Sequence, residues 1–126
     1  MVLDYLGRPM PYADLIALLE IGPIGAPRRN VLRLTQVGLK VSYREATLSI
    51  VTTYLQAGLP VIAFVDTGEL PYWSASTNHA VVIIGIDEEN VVLKDPAFDA
   101  EVQIVPRGDF ELAWLECDNA CVVVDL

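Results

Sequence analysis

Asn78-His79-Ala80-Val81-Val82-Ile83-Ile84-Gly85-Ile86-Asp87-Glu88-Glu89-Asn90-Val91-Val92-Leu93-Lys94-Asp95-Pro96 is the stretch on which the fold turns. Two β-branched apolar runs flank an acidic turn, the pattern of an antiparallel hairpin. His79, the single histidine of the chain, stands at one outer end and Asp95 at the other. An imidazole held by a carboxylate is half of the apparatus that activates a nucleophile.

Register decides whether the two can meet. With Glu88-Glu89-Asn90 as the loop and Asn90 in the left-handed position, Asp87 faces Val91 and Asp95 faces Ile83. Alternation puts His79 on the same side of the sheet, four residues further on, or about 13 Å away. Direct pairing therefore needs a bulge, for which Gly85 is a natural place, or a register centred nearer Asp87. The same spacing also fits a histidine that merely opens a strand and an Asp-Pro turn that ends one.

Working back towards the N-terminus, Asp66 to Thr77 carries Gly68, Pro71, Tyr72 and Trp73 and reads as a loop. Tyr72 and Trp73, with Asn78, are candidates for a substrate groove beside His79; equally, the two aromatics cover the core. Pro60 to Val65 reads as a buried strand. Thr47 caps a helix through Ala57 that Gly58 closes, with Leu48, Val51 and Leu55 on its buried stripe. Leu39 to Tyr43 is a short strand. A helix from about Arg28 to Val37 ends at Gly38, and its Arg28, Arg29 and Arg33 form a solvated basic face. Pro11 to Glu20 is a short helix, followed by a Gly- and Pro-rich loop over 21–27. Met1 to Gly7 has helical spacing and a glycine stop but no capping residue before it, and so resembles the last half of a helix.

Beyond the hairpin, Glu101 to Val105 and Ala120 to Val124 are strands, with a short helix from Arg107 to Trp114 between them. Helices gather in the N-terminal half and strands in the C-terminal half. This predicts an α+β fold, with helices packed on an antiparallel sheet and one domain over 1–126.

Composition narrows the function. The 126 residues are 53% hydrophobic, enough for a sizeable core, and the net charge of −9 argues against nucleic acid or an anionic membrane as partner. No apolar run approaches a membrane span and no signal peptide opens the chain, so cytoplasmic residence is expected. Cys117 and Cys121 are too few for a disulfide framework. Their spacing, with one distant histidine, makes a poor zinc set, so no metal or cofactor is expected.

Gly58-Leu59-Pro60-Val61-Ile62, Asn78-His79-Ala80-Val81-Val82, Gly85, Lys94-Asp95-Pro96 and the phrase from Phe110 to Trp114 together resemble the papain-like cysteine peptidases. The likeness is closest to the bacteriocin-processing, double-glycine-leader branch and covers nearly the whole chain. It includes the sixteen-residue step from His79 to Asp95. The resemblance implies a papain-like fold, His79 as general base and Asp95 as the residue that orients its ring. It also implies that the two are paired in space.

In that family the nucleophilic cysteine lies near the start of the first helix, after a glutamine that helps to bind the oxyanion. Met1 to Gly7 resembles the end of that helix, which puts the expected cysteine about two turns before Met1. Cys117 and Cys121 lie near the C-terminal strand and are no replacement. Three expectations follow from this departure. The chain is inactive as written and active only if its true start lies upstream; or it is a non-catalytic homologue that binds a peptide or protein segment; or it is a structural module. A shortened first helix would also bare apolar surface and favour a homo-oligomer.

Overall fold

The structure, a computed structural model, describes residues 28–98 and 100–125. The expected helices over Met1–Gly7 and Pro11–Glu20, and the loop over 21–27, lie outside the described residues. The described residues fall into two compact units, 28–43 with 124–125, and the remainder within 44–123.

In the first unit, Arg28–Val37 is a 3-10 helix, tighter than the α-helix its spacing suggests. Near its end the Thr35 hydroxyl donates to the Leu32 carbonyl three residues back, at 2.9 Å. Gly38 follows at φ 84°, a left-handed position open to glycine. Strand β1 (Lys40–Glu45) follows, its last two residues counted with the second unit.

The second unit is built round a five-strand antiparallel order, β6-β2-β3-β4-β5. Its strands are β2 (Val61–Asp66), β3 (Asn78–Ile86), β4 (Asn90–Lys94), β5 (Gln103–Pro106) and β6 (Ala120–Asp125, entering the other unit at its end). Helix α1 (Leu48–Gln56) starts where the sequence predicts, with the Thr47 side chain accepting from Ile50 N at 3.2 Å. Gly58, at φ 80°, closes it. Helix α2 (Arg107–Leu115) has no side-chain cap; instead Arg107 N donates to the Glu89 carbonyl at 2.8 Å, which ties the helix to the central turn.

Alternation along β2 selects the core face. Val61, Ala63 and Val65 are fully buried, and across the ladder they face Ile83, Val81 and His79. Val51 of α1 and Phe110, Ala113 and Trp114 of α2 fill the space over this face, the last three at the i, i+3, i+4 spacing of one helical stripe. His79 therefore stands on the core side of the sheet, at the open end of the row. The α+β class read from the sequence is the class observed. Pro106 ends β5, whose only strand neighbour among the described residues is β4, a position where a missing N–H costs the ladder little.

Candidate active site

The register of β3 against β4 brings His79 and Asp95 within reach. Val82 faces Lys94 and Ile83 faces Leu93, but Gly85 faces Val92, so one extra residue sits on β3 between Ile83 and Gly85. The turn also differs from the expected one. Asn90 does not adopt a left-handed backbone; it opens β4, and the Asp87 carboxylate accepts from Glu89 N and Asn90 N at 2.8 and 2.7 Å. A polar side chain that offers acceptors two and three residues ahead closes the turn without a positive φ. The shifted turn and the bulge each move the pairing by one residue. Continued to its end, the ladder sets Asp95 opposite Val81, two residues from His79 instead of four. That diagonal, roughly 7 Å between backbones, is one that side chains span.

The contact is short: His79 Nε2 lies 2.6 Å from Asp95 Oδ1. The Asp95 side chain is wholly buried, whereas that of His79 is 22% exposed. An ionised carboxylate only accepts hydrogen bonds, so the proton of the neutral ring belongs on Nε2 and the lone pair on Nδ1. Among the described residues Nδ1 has no hydrogen-bond partner.

Four donors converge on the carboxylate. Oδ1 takes Ala97 N at 2.9 Å besides the imidazole, while Oδ2 takes Tyr72 Oη at 2.7 Å and Trp73 Nε1 at 3.0 Å. Burial alone would raise the Asp95 pKa, but the bonds from His79, Tyr72, Trp73 and Ala97 together outweigh it and hold the carboxyl below its ordinary value. Tyr72 moves the other way. Burial first, then the hydrogen bond to Asp95 and its charge, push the phenol well above its usual value, so it stays a donor. The rings pack as well: Trp73 lies edge-on to His79 with centroids 5.0 Å apart, and Phe98 meets Tyr72 and Trp73 at 5.3 Å each.

The loop over 66–77 delivers those two aromatics. Thr67, fully buried, donates its hydroxyl to Ala75 O at 2.6 Å and accepts from Thr77 N at 2.9 Å. Asp66 Oδ1 accepts from Gly68 N and Ser76 Oγ at 2.8 and 2.7 Å. Leu70 N and Trp73 N then continue as turns onto Thr67 O and Leu70 O. The sequence marks this stretch as a loop but carries no periodic signal for Thr67, Asp66 or Phe98 as supports. Thr67 in particular looks like any loop threonine until its burial is known.

The hydrogen bond of His79 goes to Asp95 and not to either cysteine. Cys121 faces Ala63, which faces Val81, so it stands two strands and two residues from His79, roughly 12 Å. Burial raises its thiol pKa, with Arg44 opposing. Cys117 is also buried and in no disulfide, and its Sγ donates to Asn78 Oδ1 at 3.7 Å. This contact between Asn78 and a thiol was not legible from the sequence. Among the described residues no group of three His, Cys, Asp or Glu side chains could hold a metal ion, and no helix is long and apolar enough to cross a membrane.

Comparison with known proteins identifies the scaffold. The profile described as "Peptidase_C39 like family" matches residues 1–122. No curated protein matches the chain. Among solved structures, a putative C39-like peptidase from Bacillus anthracis superposes with a TM-score of 0.65 at 22% identity. The match covers 81% of this chain and 60% of that one, so the chain spans less than two thirds of that protein's length. The peptidase domain of Streptococcus ComA, described as a bi-functional ABC transporter involved in a quorum-sensing pathway, superposes with a TM-score of 0.76 at 16% identity. There the match covers 98% of this chain and 84% of the other. At these identities the structures testify to the fold, and the profile match to the kinship: this chain belongs to the Peptidase_C39-like family.

Proposed function

We propose that this member of the Peptidase_C39-like family carries the base-and-orienter half of a cysteine peptidase site, and that residues 1–126 by themselves do not cleave peptides. The observation that carries the reading is the 2.6 Å contact between His79 Nε2 and a buried, four-donor Asp95, with the Nδ1 lone pair left over.

The chemistry follows from that lone pair. A cysteine thiol brought against Nδ1 would lose its proton to the ring, and the imidazolium so formed would be stabilised by the Asp95 charge. The thiolate would add to a peptide carbonyl carbon. Nδ1–H would then return the proton to the departing amine as the C–N bond breaks, leaving an acyl-enzyme for water to hydrolyse. His79 is the proton carrier in both directions, and Asp95 keeps its ring in one orientation. Cys117 and Cys121 are poor sources of that thiol, since both are buried and burial raises the Cys121 pKa. The substrate class is a peptide or protein segment.

The test is hydrolysis of a fluorogenic peptide containing a Gly-Gly step by the purified 126-residue chain. No turnover above the blank is expected. Turnover lost both in His79→Ala and after iodoacetamide treatment would sink the claim that the chain lacks its nucleophile. Intact mass of the protein from its native cell then decides how the pair is used. A product with a cysteine ahead of residue 1 makes His79 and Asp95 working catalytic residues. A product beginning at Met1 leaves the pair without a thiol, in a peptide-binding homologue or a structural module.

A further inference from the structure

Asp95 Oδ1 faces the imidazole, but the other oxygen is held just as closely, by two side chains from a different part of the chain. We infer that Tyr72 and Trp73 are positioning residues for His79: by donating to Asp95 Oδ2 they fix the plane of the carboxylate and draw charge away from Oδ1, and so set how strongly Asp95 holds Nε2–H. The mechanistic meaning of this role rests on the reading of His79 as a base; the hydrogen-bond coupling itself does not.

A carboxylate shares one negative charge between two oxygens, and each donor on one oxygen weakens the other as an acceptor. Oδ2 here receives an O–H at 2.7 Å and an N–H at 3.0 Å in a site that admits no water to the Asp95 side chain. In such surroundings each of these bonds counts for more than it would in solvent. Hydrogen bonds to an ionised group are also the stronger kind. Geometry limits the carboxylate equally. Ala97 N and His79 anchor one oxygen, and without a second anchor on Oδ2 the group can turn about its Cβ–Cγ bond. Tyr72 and Trp73 supply that anchor from the 66–77 loop, whose neck Thr67 pins to Ala75 and Thr77.

The packing of the two aromatics suggests a clean test. Both rings also make edge contacts, Tyr72 with Phe98 and Trp73 with His79 and Phe98. Replacement by phenylalanine removes the donor and keeps an aromatic ring, so it separates hydrogen bonding from packing. His79 is the chain's only histidine, so its ring signals need no further assignment. The experiment is proton and nitrogen NMR of the 15N-labelled 126-residue chain near neutral pH, reading the downfield Nε2–H resonance in the wild type and in Tyr72→Phe, Trp73→Phe and Asp95→Ala. The amide spectrum serves as the check on folding.

The wild type is expected to show a protected, downfield Nε2–H. Tyr72→Phe and Trp73→Phe should each move it further downfield, because charge returns to Oδ1. Either variant alone suffices if the other fails to fold. An Nε2–H that stays in place in the folded phenylalanine variants, yet vanishes in Asp95→Ala, would overturn the inference and leave the His79–Asp95 reading standing. An Nε2–H that is absent from the wild type, or indifferent to Asp95→Ala, would overturn both.

Discussion

Thr67 and Thr77 close the neck of the loop that serves the candidate site. Thr67 N donates to Thr77 O at 2.9 Å, and Thr77 N donates back to Thr67 Oγ1 at 2.9 Å. The pairing continues the β2–β3 ladder one step beyond Asp66 and Asn78, with a side-chain oxygen standing in for a carbonyl. Thr67→Val keeps the shape but strips Ala75 O and Thr77 N of their partner. The expected loss is about 2 kcal/mol in urea unfolding, with faster amide exchange across 66–77. An unchanged midpoint would show that water replaces the hydroxyl.

Acid should weaken the fold through Asp95. Its carboxyl lies below the ordinary value when folded and returns to about 3.9 when unfolded. A group with a lowered folded pKa contributes stability above its unfolded pKa and loses it as pH falls through the folded one. Wild-type stability should therefore fall more steeply below about pH 4 than that of Asp95→Asn. Asp66 and Asp87 are also lowered, by hydrogen bonds in their own turns, but they are present in both proteins and so cancel in the comparison. Parallel acid limbs in the two urea series would contradict the assignment.

Two glycines should respond in opposite ways. A Cβ on Gly68 would come 3.0 Å from Asp66 Oδ1 and 3.1 Å from Ser76 Oγ, the two atoms that pin the loop. Gly68→Ala should cost about 1 to 2 kcal/mol. At Gly85 a Cβ would meet only Val92, at 3.5 Å, an ordinary contact. Gly85→Ala should keep or raise stability, by less than about 1 kcal/mol, since alanine has less chain entropy to lose. Thermal melts of the pair that gave the reverse order would refute this account of the loop.

Alkylation should find no activated thiol. Cys121 is buried with a raised pKa, and Cys117 is buried against Asn78. Iodoacetamide at pH 6 should label either one no faster than it labels a free cysteine. Rapid labelling that disappears in His79→Ala would instead show a thiol coupled to the imidazole.

Much of this was legible in the residues. The Thr47 cap, the Gly58 stop and the apolar rows of β2 and β3 follow from local rules that tertiary structure did not override. The need for a bulge followed from counting positions between His79 and Asp95, and the bulge lies beside Gly85. The turn is less legible because Asn90 and Asp87 both suit turns, and only the observed hydrogen bonds show that the Asp87 carboxylate closes it. Tyr72 and Trp73 read as groove or core because a phenol and an indole carry apolar surface. Their polar ends proved to matter as well, and the carboxylate they meet lies more than twenty positions away.

Every partner of the Asp95 carboxylate among the described residues comes from one continuous stretch, residues 66–98, which also holds the Thr67 neck and the Phe98 ring. The support of the imidazole is thus inherited as a block. Recombination that cut the chain on either side of this stretch would pass on all of these hydrogen-bonding groups together. For engineering, the same continuity makes 66–98 the natural unit to graft onto a related scaffold.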